Sequence, residues 1–303
     1  MKNNENICII LVNYNGYDDT VECIKSIENS DYDNYKIILV DNGSKDKNKI
    51  LNDNYINNAA DVIISEENLG FSGGNNLGIK YAQEKYDPEY YLLLNNDTVI
   101  TKDTISNLKK GFDFDSKAGI ITGKIYYFSE PKTIWAAGGK FNFNTGIADQ
   151  PELGKIDDGV QYENTCEVSF ATGCTMLISK QVINTVGYLE ESYFLYAEDT
   201  DYCCRVLNAG FKIIYVGKAL IYHKVSASTG KQSNMQQYYM FRNNCYIIKK
   251  YCNKPLYGYA RRIYRTIKEM KYEHYSLRVL YKAWRDFHKG IIGKIVKTIF
   301  YEM

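Results

Sequence analysis

Several absences narrow the field before any motif is considered. The chain of 303 residues carries almost no net charge, +1. A near-neutral whole gives no field for a polyanion, which argues against a nucleic-acid partner. No segment holds the roughly 18 uncharged apolar residues of a membrane-crossing helix. The amino-terminal apolar run, residues 7–12, is only six residues long. It lacks the length and the small-residue cleavage site of a secretory leader, so a cytoplasmic protein is expected. Eight cysteines form no CxxC pair and no regular framework. Reduced thiols, many of them filling a core, are the expectation. Internal repeats and low-complexity linkers are absent, and so are a GxGxxG fingerprint and the lysine-bearing loop of a P-loop.

What is present begins with an alternation. "ICIILV" reads as a strand buried on both faces, and "DDTVECIKSIENS" as a helix capped by Asp18 or Asp19 with Val21, Ile24 and Ile27 on one side. "YKIILVDNGS" and "DVIISEEN" are further strands; "NNLGIKYAQEKY" is a helix opened by Asn75 or Asn76; "EYYLLLNNDTVI" is a fourth strand and "TKDTISNLKKGF" a helix. Strands alternating with helices specify an α/β fold with a mostly parallel sheet, whose ligands bind beyond the carboxyl ends of the strands. Three strands end in polar residues at that edge: Asn13 and Asn15, Asp41 and Asn42, Asn96 and Asp97. After Gly119 the pattern becomes a meander with glycine-rich turns, then an acid-rich helix and a strand pair "FKIIYVGKALIYHK" carrying His223; from Gln236 onward it is helical.

Each cluster has a structural and a chemical reading. Asp97 after an apolar strand is either a turn former or a hard-cation site completed by water and phosphate oxygens. "VDNGSKD" is a strand-ending turn, or it sets Asp41 against a nucleoside. The glycines of "NLGFSGGNNLG", with Gly73 and Asn75 among them, permit close backbone approach to a ligand. His223 is either structural or a second metal ligand if it shares a cleft with Asp97. In "FLYAEDTDYCCRVLNAGF", Asp201 and Arg205 form an i,i+4 pair and Gly210 stops the helix. Glu198 and Asp199 are less well explained that way. A carboxylate at the mouth of an apolar pocket has its pKa raised toward working pH and can act as a base.

In order along the chain, "VNYNG" (12–16), "VDNGSKD" (40–46), "NLGFSGGNNLGI" (68–79), "LLNNDTVI" (93–100), "TGCTMLISK" (172–180), "FLYAEDTDYCCRVLNAGFKI" (194–213) and "RNN" (242–244) resemble the motifs of family 2 glycosyltransferases of the GT-A fold, in the rhamnosyltransferase-like branch. The resemblance covers about residues 7–250. It implies an inverting transfer of a sugar, rhamnose as the first choice, from a nucleotide-diphosphate sugar donor to a hydroxyl of a glycan or lipid-linked oligosaccharide acceptor in surface polysaccharide synthesis. By the resemblance, Asp41 sits on the nucleoside with Asn13 and Asn15 in the same pocket, and Asn42, Gly73, Asn75 and Asn96 belong to the donor side. Asp97 is the carboxylate of the DxD-type motif and binds a divalent metal, Mg²⁺ or Mn²⁺, with His223 as a second ligand. Asp199 is the general base. Trp135, Thr172, Gly173, Glu198 and Arg242 fall on the acceptor side, Arg242 near either the diphosphate or the acceptor. The motif here reads Asn95-Asn96-Asp97, with one carboxylate where the family pattern has two.

The implied division is a GT-A catalytic domain over 1–235, with a nucleotide-sugar half of about 1–118 and an acceptor half of about 119–235, and a helical extension over 236–303. From Lys249 onward the chain holds 14 Lys and Arg against 4 Asp and Glu, so an acidic body carries a basic tail. Ile291, Ile292, Ile295, Val296, Ile299 and Phe300 recur on one side of a helical wheel. That pattern describes an amphipathic helix lying on a membrane surface, on the catalytic domain or on a second subunit of a homodimer. Two other classes compete. A sugar nucleotidyltransferase calls for a glycine-rich, basic loop after the first strand, where this chain has "NYNGYDD". A non-catalytic nucleotide-sugar or glycan-binding module has no need of Asp41, Asp97 and Asp199 together.

Overall fold

The computed structural model describes residues 6–225, 233–270 and 276–295. The chain opens β1 (Ile7–Asn13), α1 (Tyr17–Glu28), β2 (Tyr35–Asn42), short α2 (Lys47–Leu51) and α3 (Asn54–Ala59), β3 (Asp61–Ser65), α4 (Gly70–Tyr86) and β4 (Tyr90–Asn95). Strands β3, β2, β1 and β4 lie side by side in that order, all parallel. Ile7, Ile9, Ile10, Leu11, Ile38, Leu39, Val40, Leu92 and Leu93 are buried, as continuous apolar strands covered on both faces must be. Connection β3–α4–β4 crosses from one side of β1 to the other. The sheet therefore changes winding direction between β1 and β4, where a crevice opens at the strand ends.

The second half continues with β5 (Thr98–Ile100), α5 (Thr104–Lys110), β6 (Ala118–Tyr127), β7 (Glu130–Ala137), β8 (Lys140–Asn142), β9 (Ile147–Asp149), β10 (Cys166–Val168), β11 (Thr175–Ser179), α6 (Lys180–Val186), α7 (Glu198–Asn208) and β12 (Lys212–His223). Strand β11 joins antiparallel to β4, and β6, β12 and β10 complete the sheet. The last helices are α8 (Asn234–Tyr251), α9 (Pro255–Glu269) and α10 (Leu277–His288). Cys8, Cys23, Cys174, Cys203, Cys204 and Cys245 are buried free thiols, as core-filling cysteines should be.

Four expectations change. Helix α1 is capped by Gly16 with no side-chain cap, and Asp18 and Asp19 occupy its first turn instead. The segment Lys212–His223 is one strand with a register shift between Val216 and Leu220, not a pair. Gly217 lies within that shift and has no room for a side chain: a Cβ there would stand 2.1 Å from the Tyr162 carbonyl. Helix α4 begins at Gly70, so the glycine-rich stretch is helix and not loop. A Cβ on Gly74 would stand 2.7 Å from Val12, and one on Gly78 2.5 Å from Ile10. Those two glycines let the helix press onto β1; the close partner is the sheet. Finally, residues 291–295 are non-helical, and the rest of the expected amphipathic helix, Val296 onward, lies outside the described residues.

Candidate functional site

The strand ends converge as the sequence requires. Asn13, the last residue of β1, is buried and knots three segments together. Its Nδ2 donates to Asp41 Oδ2 at 2.8 Å and to Ser44 Oγ at 3.1 Å, while its Oδ1 accepts from Gly16 N at 3.0 Å and Thr20 Oγ1 at 3.2 Å. Asp41 Oδ1 accepts from Ser44 N at 3.0 Å. The Asp41 side chain is thus fully enclosed by its own turn and does not reach the crevice. It fixes the loop that follows β2 instead of offering an open carboxylate. Asn15, with a left-handed φ of 58°, accepts at Oδ1 from Lys45 N at 2.9 Å. Asn42 bridges to the start of α4, donating to Gly70 O at 2.9 Å and accepting from Leu69 N at 3.0 Å.

Above these ends lies a cavity of about 1000 Å³. Its walls come from Tyr14, Asn15 and Gly16 after β1, Asn42 and Gly43 after β2, Phe71 and Asn75 of α4, and Asn95, Asn96 and Asp97 after β4. Phe194, Leu195, Met235, Lys294 and Ile295 close the other side. This is the volume and mixed lining expected of a small-molecule site. Asn96 is held by its own amide, which donates to Thr20 Oγ1 at 2.8 Å. Gly73 does not line the cavity; its Cα faces Leu69, 2.6 Å from where a Cβ would sit.

Asp97 and His223 do meet. His223 Nε2 stands 3.1 Å from Asp97 Oδ1, because β5 pairs antiparallel with the end of β12 and brings the two together. Trp135 packs edge-on against the imidazole, ring centroids 4.5 Å apart, so it backs His223 and is not a cavity wall. Burial opposes a charge on His223, but Cys174 and the Asp97 carboxylate outweigh it and hold the imidazole proton up to about 10. Its Nδ1 is buried without a hydrogen-bond partner. Among the described residues no group of three His, Cys, Asp or Glu is gathered. The donor set of one carboxylate in the cavity wall, Asp97, and the buried imidazole behind it fits a hard divalent cation whose remaining ligands would be water and phosphate oxygens.

The acid-rich helix is organised differently from a solvated helix start. Asp201 is fully buried and meets Arg205 at 2.8 Å, Lys250 at 2.7 Å and the Tyr251 hydroxyl at 2.7 Å, so it ties α7 to α8. The charge partners hold its carboxyl below the usual range despite burial. Glu198 and Asp199 have no such cations. Burial, then the neighbouring Asp199 charge, pushes Glu198 up to about 8. Burial likewise raises Asp199, against the pull of hydrogen bonds from Gly173 N at 3.2 Å and Thr200 N at 2.7 Å. Glu198 Oε2 is buried and unpartnered.

Asp199 is half-buried and lies outside the cavity wall itself. Gly173, to which it bonds, is covered by Phe71, whose ring does line the cavity; a Cβ on Gly173 would lie 2.7 Å from that ring. Thr172, half-buried in the same turn, accepts at Oγ1 from Cys174 N at 3.4 Å.

The loop before α7 is strained. Phe194, Tyr196 and Ala197 all have left-handed φ, 66°, 66° and 75°. Such values persist in non-glycine residues only where surrounding contacts enforce them, and they gather at functional sites. The enforcing contact is Asn243, fully buried on α8, whose amide donates to Tyr193 O at 3.0 Å, Leu195 O at 2.8 Å and Tyr196 O at 2.9 Å. Arg242 is also fully buried. Its guanidinium donates to Asn243 Oδ1 at 2.9 Å and to Gly293 O at 3.0 Å, between the rings of Tyr238 and Tyr239. It does not line the cavity; it braces the loop and the carboxy-terminal segment.

That segment is what the sequence reading missed. Lys294 donates to Asn68 O at 2.9 Å, lies over the Phe194 ring and lines the cavity with Ile295. Nothing in the order of residues announces a contact across 226 positions. Only the helical reading of "IIGKIV" stood in its place, and two glycines within four residues, Gly290 and Gly293 with φ of 72° and 89°, are the local signal against that helix.

Comparison with known proteins agrees with this architecture. The glycosyl transferase family 2 model matches residues 8–187. The hexosyltransferase Agl10 of low-salt glycan biosynthesis in Haloferax volcanii is 28% identical over 79% of this chain and 74% of its own length. Rhamnosyltransferase WbbL of Escherichia coli is 29% identical over 69% of this chain and 80% of its own. Among solved structures, residues 1–349 of S. aureus TarS superpose with a TM-score of 0.60 at 15% identity, covering 94% of this chain and 81% of that one. GalNAc-T7 with UDP, GalNAc and Mn²⁺ superposes with a TM-score of 0.59 at 15% identity, over 72% of this chain and 43% of that one. The shared fold is GT-A.

Proposed function

The chain belongs to glycosyl transferase family 2, in its rhamnosyltransferase-like branch, and from that premise we propose that it moves a sugar, rhamnose in first place, from a nucleotide-diphosphate donor to a hydroxyl of a glycan or lipid-linked glycan, with inversion, in surface polysaccharide synthesis. The observation that carries the reading is the cavity beyond β1, β2 and β4. It has Asp97 in its wall, and the loop that presents Glu198 and Asp199 forms its far side.

The donor occupies that cavity. Asn15, Asn42, Asn75 and Asn96 offer its polar contacts, and Asn13 and Asp41 fix the two loops from behind. Asp97 and His223 hold Mg²⁺ or Mn²⁺, which supplies Lewis-acid neutralisation of the charge developing on the diphosphate. GalNAc-T7 and a Pyrobaculum calidifontis mannosyltransferase solved with Mn²⁺ share the fold and support that choice. Lys294 adds a cation from the opposite wall.

Inversion is a single displacement and needs one base and no enzyme nucleophile. Asp199 takes the proton of the acceptor hydroxyl, whose oxygen forms the bond to the anomeric carbon as the nucleoside diphosphate leaves with the bonding electrons. Its raised pKa makes it a stronger base than an exposed carboxylate. The acceptor enters along its open side, beside Thr172 and Gly173. Glu198, held protonated by burial at neutral pH, spares Asp199 a second negative charge.

A panel of nucleotide sugars with Mg²⁺ or Mn²⁺ tests the reading by thermal shift and by release of nucleoside diphosphate. Stabilisation and slow hydrolysis with one donor class are expected. If no donor raises the melting temperature, the reading is wrong; stabilisation with no turnover toward any acceptor favours a binding module.

A further inference from the structure

Helix α9 is built inside out. Its packed side carries Gly258, Tyr259, Arg262 and Thr266: Gly258 sits where a Cβ would be 2.7 Å from Thr145 O, and the buried Arg262 guanidinium lies over the Phe241 ring at 5.6 Å. Its solvent side carries Leu256, Ile263, Tyr264 and Ile267, which are 85%, 42%, 61% and 54% exposed. These positions recur at i, i+7, i+8 and i+11, one face of a helix. A water-facing helix of an isolated globular domain has the opposite arrangement. The neighbouring α10 repeats the feature on a smaller scale, with Leu277 and Tyr281 each 68% exposed one turn apart. Tyr259 meets Trp284 edge-on at 5.9 Å, so the two helices are joined along their packed sides.

The charge around this face has one dominant sign. Arg261, Arg265 and Lys268 stand on α9 with Lys254 just before it, and Arg278, Lys282 and Arg285 on α10, against Glu269 and Asp286 as the acids of the two helices. Glu269 is paired with Arg265 at 2.9 Å and Asp286 with Lys282 at 2.5 Å. Exposed aliphatic and tyrosine side chains among lysines and arginines match the interface of an anionic bilayer, where the apolar face enters the headgroup boundary and the cations meet lipid phosphates. A second copy is the poorer occupant, since it would bring the same positive face against this one.

We propose that the outer face of α9, with the exposed residues of α10, docks the protein on an anionic lipid surface. The chain leads from α10 to the site. Ile291 and Ile292, about two-fifths exposed, stand two to three residues before Lys294 on the cavity wall, within about 11 Å of it along the chain. A bilayer that also takes up Ile291 and Ile292 lies close to the cavity wall at Lys294, which suits a lipid-linked acceptor; that last clause rests on the glycosyltransferase reading, and the docking itself does not.

The test is co-sedimentation of the full chain with phosphatidylcholine vesicles, with and without phosphatidylglycerol. Binding is expected with the anionic lipid and is expected to fall as salt rises. Ile263→Glu combined with Ile267→Glu should lower partitioning at least about tenfold. Its melting temperature should stay unchanged, because both side chains are exposed. Failure of the wild-type chain to bind anionic vesicles overturns the proposal, as does equal binding by the double variant. A wild-type dimer in sedimentation velocity that the double variant converts to monomer, with no vesicle binding by either, assigns the face to self-association instead. Nucleotide-sugar stabilisation measured on the same proteins reports separately on the donor site.

Discussion

The amide of Asn243 is the strongest single test of how the site is held. In Asn243→Ala, Leu195 O and Tyr196 O lose the amide that holds them and Arg242 loses one of its acceptors, while Tyr193 O keeps Leu195 N at 2.9 Å. An Asn amide has two N–H groups, so the three carbonyls share two donors and the substitution removes at most two full hydrogen bonds from the loop. Each is worth about 0.5–1.5 kcal/mol net, and the bond accepted from the charged Arg242 about 1.5–3 kcal/mol. The sum is about 2.5–6 kcal/mol, a large fraction of the roughly 5–15 kcal/mol expected for a domain of this kind. The strained residues 194–197 then relax, and the start of α7 moves with them. Urea unfolding followed by circular dichroism gives the stability change, and initial rates at saturating donor give kcat. Asn244→Ala is the control next door. It removes one intrahelical bond to Met240 O and should cost less than about 1 kcal/mol. Equal stability of the Asn243 and Asn244 variants would refute the clamp. A stability loss with unchanged kcat would refute its link to Asp199.

Three further outcomes follow from the geometry. Below about pH 4.5 Glu198 is protonated in both folded and unfolded chains and contributes nothing; as pH rises toward about 8 only the unfolded chain ionises it, so the folded state loses stability over that window. Glu198→Gln removes that loss and should gain on the wild type by several kcal/mol, in order of magnitude, between pH 5 and pH 8, whereas parallel urea midpoints across pH would contradict the burial argument. Gly70→Ala places a Cβ 2.2 Å from Phe194 O at a φ of +77° and should cost at least about 2 kcal/mol, read as a lowered melting temperature. Lys294→Ala should weaken nucleotide-sugar binding about three- to tenfold in calorimetry, with Lys294→Arg recovering most of it; an unchanged dissociation constant would place the lysine outside the donor site.

Legibility in the sequence followed the range of the interactions. Strands β1 to β4 were visible because two-sided burial writes an uninterrupted apolar run, and the meeting of Asp97 with His223 was anticipated because both lie at the ends of such runs. The glycines of α4 were misassigned because a glycine that admits a ligand and one that admits a sheet look the same in one dimension. Gly74 and Gly78 face Val12 and Ile10. The resemblance puts Asp41 on the nucleoside, and no local pattern shows that Asn13 and Ser44 hydrogen-bond to its carboxylate. The i,i+4 pairing of Asp201 with Arg205 is local and legible, whereas Lys250 and Tyr251, 49 and 50 residues later, add partners that no local pattern shows. The resemblance places Arg242 on the acceptor side, and its bracing contacts and those of Asn243 are not legible because they run largely to backbone carbonyls that no side-chain pattern records.

The division of labour between the Asp97 side and the α7 side is tested most directly by Asp199→Asn. The substitution keeps the size of the side chain and its bond from Gly173 while removing the base. With a donor that stabilises the wild-type chain, transfer to acceptor under saturating donor should fall by about 10²–10⁴-fold with the donor dissociation constant unchanged. Wild-type transfer rates in the Asp199→Asn protein would contradict the account.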